Sequence, residues 1–279
     1  MDVLVTGSYG RCGTALIDHL HGTGGYEFTY LDRSDPDEDH EYGEYETVVA
    51  DVADEEAVRD AMDGQDAVVH LAGYPRVESS FDDVLEPNVV GTYNVLEAAR
   101  RAEVESVVFA SSNHVVGGYE ASFAPEIYEP EAGIVVDHTD PVRPDSFYGV
   151  SKRFGEDLGR FYVENCEYPE RFYALRICSV RHSEYDHPYG DAESGVDDGE
   201  WSRDSDEYEE MVARMKAMWQ SRRDFAHQVE CCLHDRCVDY GVFYGVSDNR
   251  RRWFDLEHAR ATIGYDPQDD GEEWDAPPE

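Results

Sequence analysis

Residues 2–20 read DVLVTGSYGRCGTALIDHL. An apolar run with β-branched residues comes first and a segment with helical periodicity comes last, which predicts a strand, a glycine loop and a helix. Gly7, Gly10 and Gly13 let the chain turn sharply, let its backbone approach an anion and let the helix pack close to the strand. The pattern predicts a dinucleotide site with the pyrophosphate at the helix N terminus.

An acidic residue follows where such a site requires one. A second apolar strand, residues 27–31, ends at Asp32, about twenty residues beyond the glycine loop. A carboxylate at this point accepts hydrogen bonds from the hydroxyls of the adenosine ribose and repels a 2′-phosphate. We therefore expect NAD as the cofactor, although the neighbouring Arg33 leaves NADP open.

Strands and helices alternate along the rest of the chain. The patterns predict strands at 47–50, 67–71, 106–110 and 172–177, and helices at 54–62, 87–101, from 147 onward and at 224–233. Repeated β-α units with right-handed crossovers predict an α/β fold, a Rossmann-type doubly wound parallel sheet. We expect residues 1–178 to form the NAD-binding domain and residues 179–279 a small substrate-binding lobe that is not an independent domain.

Lys152 is one of only two lysines, and it follows Tyr148 by four residues. Positions i and i+4 share a face of a helix, so the ammonium lies beside the phenol and stabilises its phenolate. A chain that otherwise uses arginine has kept a compact ammonium here. With 19 tyrosines in the chain such a pair also arises by chance, and its weight comes from the other motifs.

Six segments, in their order and spacing, resemble the extended short-chain dehydrogenase/reductase superfamily. They are Thr6-Gly7-x-x-Gly10-x-x-Gly13, Asp32, His70-Leu71-Ala72-Gly73, Asn88-Val89-Val90-Gly91-Thr92, Ser111-Ser112 and Tyr148-Gly149-Val150-Ser151-Lys152. The resemblance implies Tyr148 as catalytic base, Lys152 as the group that lowers its pKa, and Ser112 as the hydroxyl that positions the reacting oxygen. Local chemistry alone allows either Ser111 or Ser112 in that last role.

The same resemblance implies which residues hold NAD. They are Gly7, Tyr9, Gly10, Arg11, Asp32, Arg33, Asp51, Val52, Leu71, Ala72, Gly73, Asn88, Tyr148, Lys152 and Ile177. It also implies a homodimer built through the helices at 87–101 and 148–164.

A narrower resemblance covers most of the chain. Segments at 109–117, 148–156, 218–224, 230–232 and 244–249 are similar to those of haloarchaeal NAD-dependent glucose-6-phosphate dehydrogenases and, more distantly, of bacterial uronate dehydrogenases. This resemblance implies oxidation of the anomeric C1 hydroxyl of an anionic hexose to a lactone, with glucose 6-phosphate before a uronate. A neutral aldose is the alternative substrate.

The sugar site follows from the same resemblance. It places Asn113, His114 and Ser179 at the sugar and Arg214 at its anionic end, with Arg76, Arg222 and Arg223 in reserve. An acidic insertion at about 181–210 departs from the pattern next to the expected substrate loop.

Three other functions compete with this interpretation. A nucleotide-sugar epimerase would use the same Tyr148 and Lys152 but would retain NAD, and such enzymes usually carry a larger C-terminal lobe. A dehydratase would need an acid pair beside the serine, where this chain has Asn113 and His114. A non-catalytic NAD-sensing protein would not require an intact Ser112, Tyr148 and Lys152.

The charge is extreme: 63 acidic residues against 23 lysines and arginines give a net charge of −40. Carboxylates spread along the whole chain repel one another at low salt and are screened at molar salt, which indicates a salt-loaded cytoplasm. A small sugar is the expected partner, because nucleic acids and anionic membranes require a basic surface. We expect no membrane-spanning segment and no signal peptide.

Six cysteines are present without a Cys-x-x-Cys pair, and a cytoplasmic enzyme keeps its thiols reduced. The cluster around His227, Cys231, Cys232, His234 and Cys237 has the residue types of a zinc site. Adjacent cysteines do not share one helical face, however, so we expect buried thiols and no metal. We expect His182 and His187, in the insertion, to be solvated loop residues.

Overall fold

The computed structural model describes residues 1–36, 41–43 and 45–278. Seven parallel strands form one sheet: β1 (Asp2–Thr6), β2 (Glu27–Asp32), β3 (Thr47–Val49), β4 (Ala67–His70), β5 (Ser106–Ser112), β6 (Arg171–Ile177) and β7 (Tyr240–Gly245). Their order across the sheet is β3-β2-β1-β4-β5-β6-β7. The order reverses direction between β1 and β4, which is where ligands bind in doubly wound sheets.

Ten α-helices surround the sheet in the described part of the chain. They are α1 (Arg11–Leu20), α2 (Glu55–Met62), α3 (Phe81–Val84), α4 (Gly91–Arg101), α5 (Gly117–Phe123), α6 (Phe147–Asn165), α7 (Gly190–Asp197), α8 (Asp206–Met218), α9 (Arg222–His234) and α10 (Glu257–Ile263). The side chain of Asp54 caps α2, as its type predicts.

The helix predicted at 87–101 begins earlier and is not uniform. α3 leads into a π-helical segment, Leu85–Val90, before α4 begins. The N–H of Gly91 bonds to the carbonyl of Glu86, five residues back. Pro87 lacks an N–H and cannot donate within the preceding turn, which accounts for the break in the regular pattern that the sequence periodicity missed.

Apolar side chains fill both faces of the sheet, as expected for parallel strands covered by helices. Alternate residues of β1 enter different clusters: Val3 and Val5 pack on one side with residues of α1 and α9, and Leu4 packs on the other with residues of α2 and α4. The strand ends that carry the site are therefore supported from both sides.

The C-terminal part of the chain takes part in the same sheet. β7 pairs with β6, and the buried Arg222 of α9 bonds to Thr14 and Asp18 of α1. The proposed boundary near residue 178 thus falls between two neighbouring strands. Sequence analysis did not predict β7.

The acidic insertion is folded. Tyr189, Ala192 and Tyr208 form a small buried cluster between α7 and α8. The expectation that His187 is solvated is wrong: its side chain is buried, and its ring stacks on Trp274 with ring centres 5.7 Å apart. His182 is exposed, as expected. Among the described residues, no helix combines the length and apolar character needed to cross a membrane.

Candidate active site

The glycine loop lies against the ends of β1 and β4. Gly7 has φ +74°, and a Cβ there would approach the backbone nitrogen of Ala72 to 2.7 Å. A Cβ on Gly13 would lie 2.3 Å from the carbonyl oxygen of Ser8. Both positions therefore require glycine. No side chain caps the N terminus of α1, so its first N–H groups are available to an anion such as a pyrophosphate.

Asp32 lies at the end of β2, beside this loop. Its carboxylate accepts hydrogen bonds from the backbone N–H groups of Tyr9 at 3.0 Å and Arg33 at 2.7 Å. Each oxygen takes one of these bonds, and the group keeps capacity for further donors. The Tyr9 hydroxyl contacts Thr47 at 2.5 Å, so the tyrosine joins the glycine loop to β3.

Other residues predicted to hold NAD lie along the same edge of the sheet. Leu71, Ala72 and Gly73 follow β4, Asp51 and Val52 follow β3, and Ile177 ends β6. Arg11 begins α1 with an exposed side chain. These segments converge because the carboxyl ends of parallel strands meet at one edge.

Asn88, in the π-helical segment, connects this edge to α6. Its side-chain oxygen accepts from the N–H of Tyr74 at 2.6 Å, and its Nδ2 donates to the hydroxyl of Ser151 at 2.9 Å. A Cβ on Gly73 would lie 2.9 Å from the Asn88 oxygen and 3.3 Å from Nζ of Lys152. Glycine at position 73 therefore lets the backbone lie close to both polar groups.

The ammonium of Lys152 is buried in the crevice without a polar partner among the described residues. The residue is 4% exposed, and its Nζ lies 5.1 Å from the ring centre of Phe109 and 5.8 Å from that of Tyr148. Within the described residues, the ammonium forms no hydrogen bond or ion pair. Burial lowers the pKa of Lys152 to about 8, which keeps most of the side chains charged at neutral pH.

Ser112 lies beside Tyr148, close enough to affect the ionisation of the phenol. Burial raises the pKa of Tyr148 to about 12, although Ser112 acts in the opposite direction. Ser111 is engaged elsewhere: its hydroxyl donates to Glu156 at 2.6 Å. The geometry therefore favours Ser112 over Ser111 as the hydroxyl beside Tyr148, a choice that local chemistry in the sequence left open.

Asn113 and His114 follow Ser112 directly. Asn113 is 3% exposed, and its Nδ2 is buried without a hydrogen-bond partner in the described structure, which leaves a donor for a ligand. The imidazole of His114 pairs with Asp145 at 2.7 Å and meets the Tyr148 ring edge-on, with ring centres 5.9 Å apart. The His114 contact holds the pKa of Asp145 below its usual value despite burial.

The residues predicted for the sugar's far end lie beyond β6. Ser179 is buried, and its hydroxyl accepts from Arg181 at 3.5 Å. Arg214 donates to Glu120 at 2.6 Å, and Glu120 also accepts from Tyr128 at 2.6 Å. Sequence reasoning missed Glu120 and Tyr128, and no sequence signal identifies them, because they lie more than 80 residues from Arg214 in the chain.

The three reserve arginines have different surroundings. Arg222 is buried in the contact with α1, and Arg223 pairs with Asp269 at 2.7 Å. Arg76 is exposed and lies over the ring of Tyr74. Arg222 and Arg223 are therefore occupied by protein contacts.

The cysteine and histidine cluster forms no metal site among the described residues. The six cysteines are free thiols, and Cys232 is buried in the core. Cys231 contacts His227 at 3.7 Å, one turn away on α9.

The chain is similar to known proteins over most of its length. The model of the NAD dependent epimerase/dehydratase family matches residues 3–228. The chain is 40% identical to the NAD-dependent glucose-6-phosphate dehydrogenase of Haloferax volcanii, over 98% of this chain and 95% of that protein. It is 34% identical to the L-arabinose 1-dehydrogenase (NAD(P)(+)) of the same organism, over 96% of both chains.

A solved structure is also similar. It is a variant of the uronate dehydrogenase of Agrobacterium tumefaciens complexed with NAD, with 28% identity and a TM-score of 0.73. The match covers 98% of this chain and 86% of that one.

Proposed function

The chain belongs to the NAD-dependent epimerase/dehydratase family, and because it is an NAD-dependent sugar dehydrogenase of that family, we propose that it oxidises the anomeric C1 hydroxyl of an anionic hexose. Glucose 6-phosphate is the favoured substrate and a lactone is the product. The observation that carries the proposal is the proximity of Ser112, Tyr148 and Lys152 in the dinucleotide crevice, where the ammonium has no polar partner among the described residues.

The residues present fit NAD. The uncapped N terminus of α1 suits the pyrophosphate, and the spare capacity of Asp32 suits the ribose hydroxyls. Lys152, whose Nζ lies close to the backbone at Gly73, suits the second ribose. When bound, NAD supplies the oxidant by accepting the hydride of C1 at nicotinamide C4.

The protein's own groups handle the proton. Ser112 donates a hydrogen bond to the C1 oxygen, and Tyr148 accepts the proton of the C1 hydroxyl as the C1=O bond forms. Burial opposes ionisation of Tyr148, so the base depends on the positive charge of Lys152 to offset that cost. Asn113 and His114 hydrogen-bond the sugar hydroxyls, with the orphaned Nδ2 of Asn113 as one donor.

Arg214 is the proposed contact for the sugar's anionic end. Its pairing with Glu120 keeps the guanidinium oriented beyond β6. Arg214→Ala should raise KM for the anionic sugar far more than it lowers kcat, because the contact binds ground and transition states alike. Arg223→Ala, which removes a surface pair with Asp269, is the matched control and should leave KM unchanged.

The substrate is identified most directly by a sugar panel. Purified protein in molar KCl is mixed with NAD and glucose 6-phosphate, glucuronate, glucose or arabinose, and the absorbance of NADH is followed. We expect the greatest kcat/KM for glucose 6-phosphate. Equal use of glucose or arabinose would remove anion recognition and favour the neutral aldose alternative, as in the arabinose dehydrogenase relative.

The second candidate is a nucleotide-sugar epimerase, which shares the family. Such an enzyme would return the hydride within one turnover and release no NADH. NADH release in the panel therefore separates the two functions, and a non-catalytic NAD sensor would show neither activity.

We also propose a homodimer and a cytoplasmic location. Exposed apolar side chains are concentrated on α3, α4 and α6: Phe81, Tyr93, Phe147, Val150, Phe154 and Phe161. A surface of this kind on so acidic a chain suits burial against a second copy. Light scattering in molar KCl should give twice the mass of the 31.7 kDa chain, and a monomer at working concentrations would contradict the proposal.

A further inference from the structure

A buried network of charges lies directly behind the proposed catalytic residues. Glu156 is 0% exposed and Arg176 is 1% exposed. The guanidinium binds both carboxylate oxygens, from Nε at 2.9 Å and from Nη2 at 3.0 Å. Ser111 donates to the same carboxylate at 2.6 Å and Arg153 at 3.0 Å. The acceptor sites of Glu156 are thus filled by four donors.

Each member of this network is next to a residue of the site. Glu156 follows Lys152 by one turn on α6, and Ser111 precedes Ser112 on β5. Arg176 lies opposite Ser111 in the register of β5 and β6. The network therefore joins the helix that carries Tyr148 and Lys152 to the strand that carries Ser112.

Two glycines of α6 lie against the sheet, and the Tyr240 hydroxyl of β7 donates to the backbone carbonyl of Glu156 at 3.2 Å. A Cβ on Gly155 would lie 2.3 Å from the ring of Phe109, and a Cβ on Gly159 would lie 2.3 Å from the ring of Phe172. Glycine at these two positions lets the helix approach closely and contributes no side chain that interlocks with the sheet there. Close approach sets the distance between helix and strand, and a directional contact is needed to set the position along the helix axis.

Stability alone does not account for a buried ion pair. Apolar residues of similar volume often stabilise the fold as much or more, because burying an ion pair removes both charges from water. Fixing the register between two elements is a role that such pairs fill in other proteins. The Glu156 network occupies the place where register between α6 and β5 affects the site.

We propose that Glu156, held by Arg176, is a positioning residue that keeps Ser112 within hydrogen-bond distance of Tyr148. This inference rests on the proposed function of Ser112 and Tyr148. The contact acts through Ser111, one residue before Ser112. Its loss lets α6 shift against β5 and moves the Ser112 hydroxyl away from that of Tyr148.

The test compares kcat and its pH profile in Glu156→Gln and the parent enzyme. We expect kcat to fall by about 10- to 100-fold, as small misplacements of reacting groups do, with KM for the sugar little changed. Ser112 lowers the pKa of Tyr148, so moving its hydroxyl away raises that pKa. The limb of the kcat profile that reports the base should therefore move to higher pH.

Glu97→Gln is the matched control. Glu97 accepts from Arg100, Arg101 and the hydroxyl of Tyr162 on α6, far along the helix from Lys152. This variant should lower the melting temperature without moving the pH profile. If Glu156→Gln does not fold, Ser111→Ala carries the same test, because it removes the link to β5 and leaves the ion pair intact.

Two results overturn the proposal: a folded Glu156→Gln with the parent's kcat and pH profile, or, where that variant is unfolded, an unchanged Ser111→Ala. Tyr148→Phe and Ser112→Ala distinguish this failure from a failure of the proposed function. If they are inactive while Glu156→Gln is unchanged, only the positioning role fails. If they retain full turnover, the proposed function fails instead.

Discussion

Two buried cations on neighbouring elements have opposite surroundings. Arg176, in the network behind the site, is bound by Glu156 and by the hydroxyl of Tyr244. Lys152, in the crevice, contacts only aromatic rings among the described residues. Pairing raises the pKa of Arg176 in spite of burial, whereas burial lowers that of Lys152. A partnered buried charge belongs to the framework, and an unpartnered one marks the place where a ligand and chemistry are expected.

The largest effect on turnover should come from removing the Tyr148 hydroxyl, whose ionisation Lys152 supports. Tyr148→Phe keeps the ring and removes the ionisable oxygen, so kcat should fall at least about 100-fold with NAD affinity nearly unchanged. Tyr173→Phe is the control, because Tyr173 is also buried and its hydroxyl bonds to Asp235 away from the crevice. Turnover near the parent value in Tyr148→Phe would eliminate Tyr148 as the base.

Replacing Lys152 measures how much a buried ammonium without a polar partner among the described residues lowers the free energy of unfolding. Its folded pKa of about 8 lies below the unfolded value of 10.5, so the unfolded chain binds more protons between these values. The penalty is fully present below pH 8 and disappears as the pH rises toward 10.5. Without cofactor, Lys152→Met should therefore raise the free energy of unfolding by up to about 3 kcal/mol at neutral pH, and by less in alkali, while abolishing turnover.

Denaturant unfolding at neutral pH and in alkali measures this difference in the free energy of unfolding. The other lysine supplies the control: Lys216 donates to the carbonyl of Trp274 at 2.9 Å, so Lys216→Met should be neutral or mildly destabilising. A Lys152→Met variant that is less stable than the parent at neutral pH would show that the ammonium has a partner after all.

Asp32 and Glu156 extend the comparison to carboxylates. Glu156 is saturated by donors, whereas Asp32 accepts only two backbone bonds among the described residues and has room for ribose hydroxyls. Asp32→Ala should weaken NAD binding about tenfold and improve NADP relative to NAD, with Arg33 near the 2′-phosphate. Binding titrations with both cofactors measure the ratio, and a parent enzyme that already prefers NADP would refute this role.

The surface carboxylates should have the smallest effect per charge. With a net charge of −40, mutual repulsion decreases as KCl is raised into the molar range, so the melting temperature and activity should both increase. The buried pair of Glu156 and Arg176 is insulated from salt and should contribute nothing to this trend. Equal stability in dilute buffer would contradict the interpretation of the charge.

The sequence predicted those features that short-range patterns control. The glycine loop, Asp32 and the shared helix face of Tyr148 and Lys152 depend on neighbours within one or two turns or on strand and helix periodicity. The structure confirms the parallel sheet that these patterns predicted, and the family comparison confirms the family. Asp54 likewise caps α2 at the predicted position.

Long-range contacts were beyond the sequence. The resemblance implied Ser112, but local chemistry could not separate it from Ser111, whose partner Glu156 lies 45 residues further along the chain. The pairing of Arg214 with Glu120 spans 94 residues. His187 carries no local signal of burial, because the cover over it comes from Trp274. The π-helical segment depends on how Pro87 alters backbone bonding, which apolar periodicity does not register.

Isotope transfer tests most directly whether the hydride of the sugar's C1 passes to NAD. The protein is incubated in molar KCl with NAD and glucose 6-phosphate deuterated at C1, and the reduced cofactor and the sugar product are analysed by mass spectrometry. We expect one deuterium in each NADH and a matching amount of lactone or its hydrolysis product. NADH without the label, or an epimerised sugar with no net NADH, would contradict it.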